Sequence, residues 1–392
     1  MSSVTKWQEI RQQQGNANAK RWLNTLESDP HPSLLVRKEY DNLLRAIEYT
    51  LDSPAGFDLA YHLIHILHIY AISYADWERW LIYLQKAHRF SQLLQRPFEE
   101  ATLLEMMGNV YRTQGELKQA ETYLGQAATK YNQLSLLPEY AVSLSNLAVV
   151  LESLGEDGES VCQAALAMVE ESQNGVARAR ILLNLSSIYM RRHEWQSGLQ
   201  AAKTAYDLTH SWQDSVLNVK LHFNMLTCLG RLEKWAELNE TFAQLADELD
   251  QRGDIHTLAK LRNNLGVIAY DFHNLPAAEQ QWQAALKLQS AIQDPVETAF
   301  LYNNLGMVYT QLGELETAEE MLKKAVAIQE QLQDIYQWAN AIDNLADVYA
   351  AKGETAAARH IRQQAHARLQ TLSPTTPTQA LVTALQAKLL IG

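Results

Sequence analysis

His62, His65 and His68 form an HxxHxxH run within LAYHLIHILHIYAI. On a helix of 3.6 residues per turn the outer two stand about 120° apart, a poor fit to one metal ion. The stretch therefore reads as a buried helix whose histidines pack or meet a partner. Cys162 and Cys228 lie in separate segments, without a CxxC or a histidine at metal spacing, so neither a disulfide framework nor a zinc site is indicated. GEDGES (Gly155 to Ser160) reads as a solvated turn, with nothing to support an acid–base pair of carboxylates. GxxxxGK[ST] and G-x-S-x-G are both absent, and no nucleophile–base pair stands out. The expectation is a protein without catalytic chemistry and without a cofactor. Trp195, Trp235 and Trp282 fall where packing is the default use of a tryptophan.

Asparagine is the polar letter that recurs. NNLGMVYTQLGELETAE (Asn303 to Glu319) echoes NNLGVIAYDFHNLPAAE (Asn263 to Glu279), and the shared asparagine recurs at Asn146, Asn184, Asn224, Asn264, Asn304 and Asn344, at intervals of 38, 40, 40, 40 and 40 residues. Self-similarity at a fixed period is the signature of a solenoid. An earlier copy, MMGNVYRTQGELKQAETYL, has Met106 in place of the asparagine but keeps Gly108, Tyr111, Gly115 and Ala120. Seven copies run from about residue 101 to 372.

Each copy carries apolar residues at helical spacing in two blocks, parted by a polar turn that Gly115, Gly155, Gly313 and Gly353 mark in four copies. Small residues recur where two helices must approach: Gly306, Ala318 and Ala325; Gly266, Ala278 and Ala285; Gly108, Ala120 and Ala127. Tyr111, Tyr189, Tyr309 and Tyr349 are expected to fill the space beside them. The copy with Leu226, Leu238 and Leu245 at all three small positions either packs irregularly or is compensated by smaller neighbours.

Tyr302, Leu305, Gly306 and Tyr309, followed by Ala318, Leu322 and Ala325, resemble the signature of the tetratricopeptide repeat (TPR) family. The resemblance implies an all-α, right-handed superhelical solenoid of antiparallel helix pairs. A period near 40 residues, longer than the usual ~34, is similar to that of kinesin light chains and of the TPR sensor regions of bacterial STAND-type signalling regulators. Ahead of the copies, residues 1–55 form a helical segment that includes the amphipathic RKEYDNLLRAIEYTL (Arg37 to Leu51). Residues 56–100 resemble a degenerate helix pair with Trp80 where alanine normally sits and Ala87 at the late small position. Residues 101–372 hold the seven copies. SPTTPT then breaks the helix, and residues 373–392 supply a last amphipathic helix expected to cap the end of the stack.

Of 392 residues, 47% are hydrophobic and 20% charged, which suits a folded, helix-rich chain. A formal net charge of −12 disfavours nucleic acid, whose backbone calls for a basic footprint. MSSVTKWQEIRQQQGNANAK lacks the apolar core of a signal peptide, and no uninterrupted run is long enough to span a bilayer. Cytoplasmic location away from membranes is the expectation.

Residues four, seven and eleven apart share a helical face. The recurring asparagine therefore selects a stripe: Arg180, Asn184, Ser187 and Arg191; Lys220, Asn224, Thr227 and Arg231; Lys260, Asn264, Val267 and Asp271; Phe300, Asn304, Met307 and Gln311; Asn340, Asn344, Asp347 and Ala351. The TPR resemblance implies that this stripe lines a concave groove. An asparagine column offers donors and acceptors to an extended peptide backbone; alternatively the same amides bond to neighbouring helices and set the pitch of the stack. Arg180, Arg191, Lys220, Arg231 and Lys260 on three adjacent copies point to an acidic partner segment. The leading expectation is a non-enzymatic interaction protein that binds a peptide segment through Arg180, Asn184, Arg191, Lys220, Asn224, Arg231, Lys260, Asn264, Asn304 and Asn344. The second is a sensor subunit, similar to Rap-type or STAND-type regulators, that controls a separate effector enzyme such as a protease or ATPase.

Overall fold

A computed structural model describes residues 3–29, 32–73, 76–170, 174–209, 215–251, 253–372 and 376–391. Residues 373–375, where the helix break after the last copy is expected to begin, lie outside them. The described residues are all-α, and the helices run in sequential antiparallel pairs. Helices α1 (Ser3–Ser28) and α2 (Pro32–Thr50) come first, and a single 3₁₀ turn (Pro54–Gly56) leads into α3 (Phe57–Ser73) and α4 (Trp77–Leu93). Then follow α5 (Pro97–Gln114) with α6 (Leu117–Gln133), α7 (Leu137–Ser153) with α8 (Gly158–Glu170), and α9 (Gly175–Arg191) with α10 (Trp195–Thr209). Helices α11 (Ser215–Arg231), α12 (Trp235–Gln251), α13 (Ile255–Asp271) and α14 (Leu275–Ile292) continue the series. It ends with α15 (Pro295–Leu312), α16 (Leu315–Gln331), α17 (Ile335–Ala351), α18 (Thr355–Leu369) and α19 (Thr376–Ile391). Two starts lie earlier than periodicity suggests: α5 begins at Pro97 rather than near 101, and α2 at Pro32 rather than Arg37. Proline is at home in a first turn, where its missing N–H has no partner to lose.

The chain divides into two compact units, residues 1–242 and 243–392, and the division falls inside α12. That helix belongs to the copy with leucines at the small positions; Leu226, Leu238 and Leu245 are each buried. In the first unit the leading helices α3, α5, α7, α9 and α11 neighbour one another in order, and in the second α15, α17 and α19 do so.

The forty-residue beat is set by backbone geometry at the turns. Gly115, Gly155, His193, Glu233, His273, Gly313 and Gly353 all have positive φ, between 56° and 84°. At each turn the next N–H closes a six-residue loop back onto the first helix, as from Glu116 to Tyr111 O (2.9 Å) and Glu314 to Tyr309 O (2.9 Å). This closure needs one left-handed residue, which glycine adopts without steric penalty. Three copies adopt it with His193, Glu233 and His273, so the turn is more regular than its glycines suggest.

Packing inside each hairpin explains the small residues. A Cβ on Gly306 would fall 2.4 Å from Leu322 Cγ, one on Gly108 2.6 Å from Leu124 Cγ, and one on Gly266 2.5 Å from Trp282 Nε1. Ala120, Ala127, Ala278, Ala285, Ala318 and Ala325 are fully buried. Two of the tyrosines also link hairpins: Tyr309 donates to Glu279 Oε1 (2.9 Å) and Tyr189 to Glu159 Oε1 (3.0 Å), each 30 residues back.

Candidate functional site

The asparagines report first on the stack itself. Asn146 donates to Glu105 Oε1 (2.7 Å), and Asn184 donates to both Ser145 Oγ and Asn146 Oδ1 (2.8 Å each). Asn304 donates to Asn263 Oδ1 (3.2 Å), and Asn344 to Asn303 Oδ1 (2.9 Å). Four of these bonds reach the residue that precedes the repeat position in the copy before: Glu105, Ser145, Asn263 and Asn303. The doubled NN of Asn303 and Asn304 thereby gains a meaning, since the first accepts from the next copy and the second donates to the previous one. In the third copy the preceding residue is Leu183, which has nothing to offer, and Asn224 reaches Ser186 Oγ (3.2 Å) and Ser187 Oγ (3.3 Å) instead. Asn264 differs. It is exposed and makes no side-chain hydrogen bond among the described residues.

The last member of the acceptor column, Asp343, meets basic groups in place of an amide. Arg362 Nε lies 2.8 Å from Asp343 Oδ1, and Lys388 Nζ lies 2.8 Å from Asp343 Oδ2 and 2.9 Å from Asp347 Oδ2. Arg362 also pairs with Asp347. Lys388 thus ties α19 to α17 at the position where a further asparagine would stand.

In the first unit Arg180, Arg191, Lys220 and Arg231 are all exposed. Arg180 lines a cavity of about 550 Å³, and Lys220 lies close enough to His68 to disfavour its protonation. Arg231 sits over the Trp195 ring, 5.8 Å from its centroid, and Arg191 bears on Arg112 of α5. In the second unit Lys260 stands 3.8 Å from Glu297 Oε1.

The histidine run does not gather round a metal. His68 accepts a hydrogen bond at Nδ1 from Trp80 Nε1 (3.0 Å), and burial, with His65 and Lys220 adding to it, lowers its pKa to about 3. His65 is lowered too, by burial and by Arg180. Both side chains are therefore neutral near pH 7, and among the described residues no group of histidine, cysteine or carboxylate side chains is arranged to hold a metal. Burial pushes the Cys162 and Cys228 thiols up to about 12, away from nucleophilic use.

The cavity beside Arg180 is what sequence reading passes over. It is walled by α3, α5, α6, α7 and α9, with Phe98, Met106, Val142 and Val176 as apolar lining and Glu105, Tyr131, Glu139 and Arg180 as polar lining. Phe98 and Tyr131 meet edge to face at 6.1 Å, and the Tyr131 hydroxyl shares a hydrogen bond with Thr102 Oγ1 (3.0 Å). Burial pushes Glu105 up to about 7, against the opposing pull of Arg180 and of hydrogen bonds from Asn146 and Tyr131. The one signal in the sequence is a charged residue at a position that Ser145, Leu183, Phe223, Asn263 and Asn303 hold in the next five copies, with Asp343 the one other acid.

Two models of the tetratricopeptide repeat match the chain, at residues 105–176 and 257–331. With helix pairs continuing at the same beat between and beyond them, the family is decided. The chain is a tetratricopeptide repeat protein. No protein of curated function matches it in sequence. Among solved structures the TPR chain is similar to the apo form of RapI (14% identity, 74% of this chain and 86% of that one, TM-score 0.54). It is also similar to the apo quorum sensor NprR from B. thuringiensis (15% identity, 90% and 98%, TM-score 0.52). The Rap conjugation gene regulator of plasmid pLS20, in complex with the Phr* peptide, gives 16% identity over 82% and 96%, with a TM-score of 0.52. At such identities the likeness is one of fold. Among the described residues no helix of the TPR chain is long and apolar enough to cross a membrane.

Proposed function

We propose that this TPR protein is a non-catalytic binding module that captures an extended, acidic segment of a partner protein along the faces of its leading helices. The observation that supports the reading is the exposure of Arg180, Arg191, Lys220 and Arg231 on α9 and α11 in a chain of net charge −12, with Arg180 at the rim of a cavity. Cations clustered against the overall sign of a protein steer and orient an oppositely charged partner. In the second unit, taken by itself, Lys260 and the exposed Asn264 share the leading-helix face of α13. The other repeat asparagines each use at least one N–H within the stack, so their part in capture is confined to the acceptor and donor capacity that remains. A peptide held by one of the fold relatives is consistent with this reading.

The test is a pull-down from the source lysate with the wild-type chain and with Arg191→Glu/Lys220→Glu. The expected outcome is a specific partner retained by the wild type, lost by the variant, and released as salt is raised. Equal retention by both refutes the acidic segment. A sensor role over a separate effector enzyme is the finer alternative, and it predicts a change in the radius of gyration on adding that partner, read by X-ray scattering.

A further inference from the structure

The cavity between α3, α5, α7 and α9 carries a carboxylate that the capture reading does not use. Glu105 lines it, with one oxygen accepting from Asn146 Nδ2 at 2.7 Å. The charged and titratable groups that bear on Glu105 and its hydroxyl neighbours come from every wall. They are Tyr61, His65 and His68 from α3, Glu99 from α5, Tyr131 from α6, Glu139 from α7 and Arg180 from α9. The two histidines are neutral near pH 7, as shown above. Arg180 is exposed, lines the same cavity and favours the charged form of Glu105, but burial outweighs its pull. With Glu105 ionised the cavity presents two carboxylates, Glu105 and Glu139, against one cation, Arg180. Thr102, Asn109 and Asn174 add neutral polar groups, and Phe98, Met106, Val142 and Val176 supply the apolar wall.

We infer that this cavity seats a primary ammonium on an apolar stem, the nitrogen pairing with Glu105 and the stem lying against Phe98, Met106 and Val142. A carboxylate whose loss of solvation outweighs the charges around it favours its neutral form, and a further bound cation restores the charged one. Aromatic edges and faces suit the stem and the cation alike. An anion would meet Glu105 and Glu139, and among the described residues no metal-binding group exists. A lysine side chain and a peptide amino terminus share the chemistry required. The inference deepens the capture reading by naming an anchor within it, and small amine probes examine it without any peptide, so either reading can fail alone.

Burial raises the Glu105 pKa, so the folded chain binds a proton there that an ammonium must displace. Bound amine then increases with the ionised fraction: with a pKa of about 7, n-hexylamine should bind about tenfold more tightly at pH 8 than at pH 6, releasing about half a proton at pH 7. Isothermal titration of the wild-type chain in two buffers of different ionisation enthalpy reads both quantities. n-Hexanol and hexanoate are expected to bind at least about tenfold more weakly than the amine. Glu105→Gln should lower amine affinity by a similar factor and flatten its pH profile, while melting like the wild type at pH 6.

Tighter binding of hexanoate, a flat wild-type profile, undiminished binding by the variant, or no binding of the amine would each overturn the inference. The wild-type profile and proton release decide the matter even where the variant is destabilised. A second arm separates the two sources. Trileucine amide, whose amino group has a pKa near 8, should give a bell-shaped profile with its maximum at about pH 7.5. N-acetyl-lysine methylamide should instead rise to a plateau. Whichever probe binds more tightly names the source, and equal failure of both together with hexylamine overturns the seat.

Discussion

Replacing Asn184 and Asn264 separately with alanine tests what the repeat asparagines do. Asn184 makes two side-chain hydrogen bonds at 2.8 Å to the preceding leading helix, while Asn264 is exposed and makes none among the described residues. Each neutral hydrogen bond contributes about 1 kcal/mol, so Asn184→Ala loses about 2 kcal/mol. Alanine is the better helix former by about 0.6 kcal/mol, which leaves a net loss of about 1.4 kcal/mol, or about tenfold in a local opening equilibrium. The same propensity term makes Asn264→Ala slightly stabilising. Because repeat arrays open unit by unit, native-state hydrogen exchange resolves the effect better than a global melt. Amides of α7 and α9 should exchange about tenfold faster in Asn184→Ala and no faster than wild type around Asn264→Ala. Partner capture, measured in parallel, should fall in Asn264→Ala. Unchanged protection of α7 and α9 in Asn184→Ala, or equal destabilisation by both substitutions, would refute the assignment of stacking to one asparagine and exposure to the other.

Asp343 and Gly266 offer two further checks. Asp343→Ala leaves the buried Arg362 with a single carboxylate and removes one of the two partners of Lys388; breaking such a buried pair costs about 3 kcal/mol. Exchange should accelerate chiefly in α17, α18 and α19, and unaltered protection of α19 would show that the ion pairs do not hold it. Gly266→Ala forces the Trp282 ring away from a Cβ only 2.5 Å from Nε1 and disturbs the indole bond to Asn263 O (3.0 Å), at a cost of about 2 kcal/mol or more. Gly125→Ala meets nothing within 4 Å on an open helix face and should instead stabilise by about 0.5–1 kcal/mol. Urea denaturation followed by circular dichroism ranks the two, and the reverse order would refute the packing argument.

Gly313, Gly306, Ala318 and Tyr309 could be assigned their places from letters alone, because what they satisfy is local. A left-handed residue must close each hairpin, and a small one must stand where two helices touch within 20 residues of chain. Even there the letters understate the regularity, since His193, Glu233 and His273 adopt the same turn without being glycine. The asparagine column was visible as a column and ambiguous as a function. An amide is donor and acceptor at once, and which capacity is engaged depends on a neighbour 37 to 41 residues away. Only the stacked helices show that Asn304 turns to Asn263 while Asn264 stands exposed. Glu105 is the extreme case. Its setting is made by walls from five helices between residues 57 and 191, and the loss of solvation that raises its pKa exists only once they have come together.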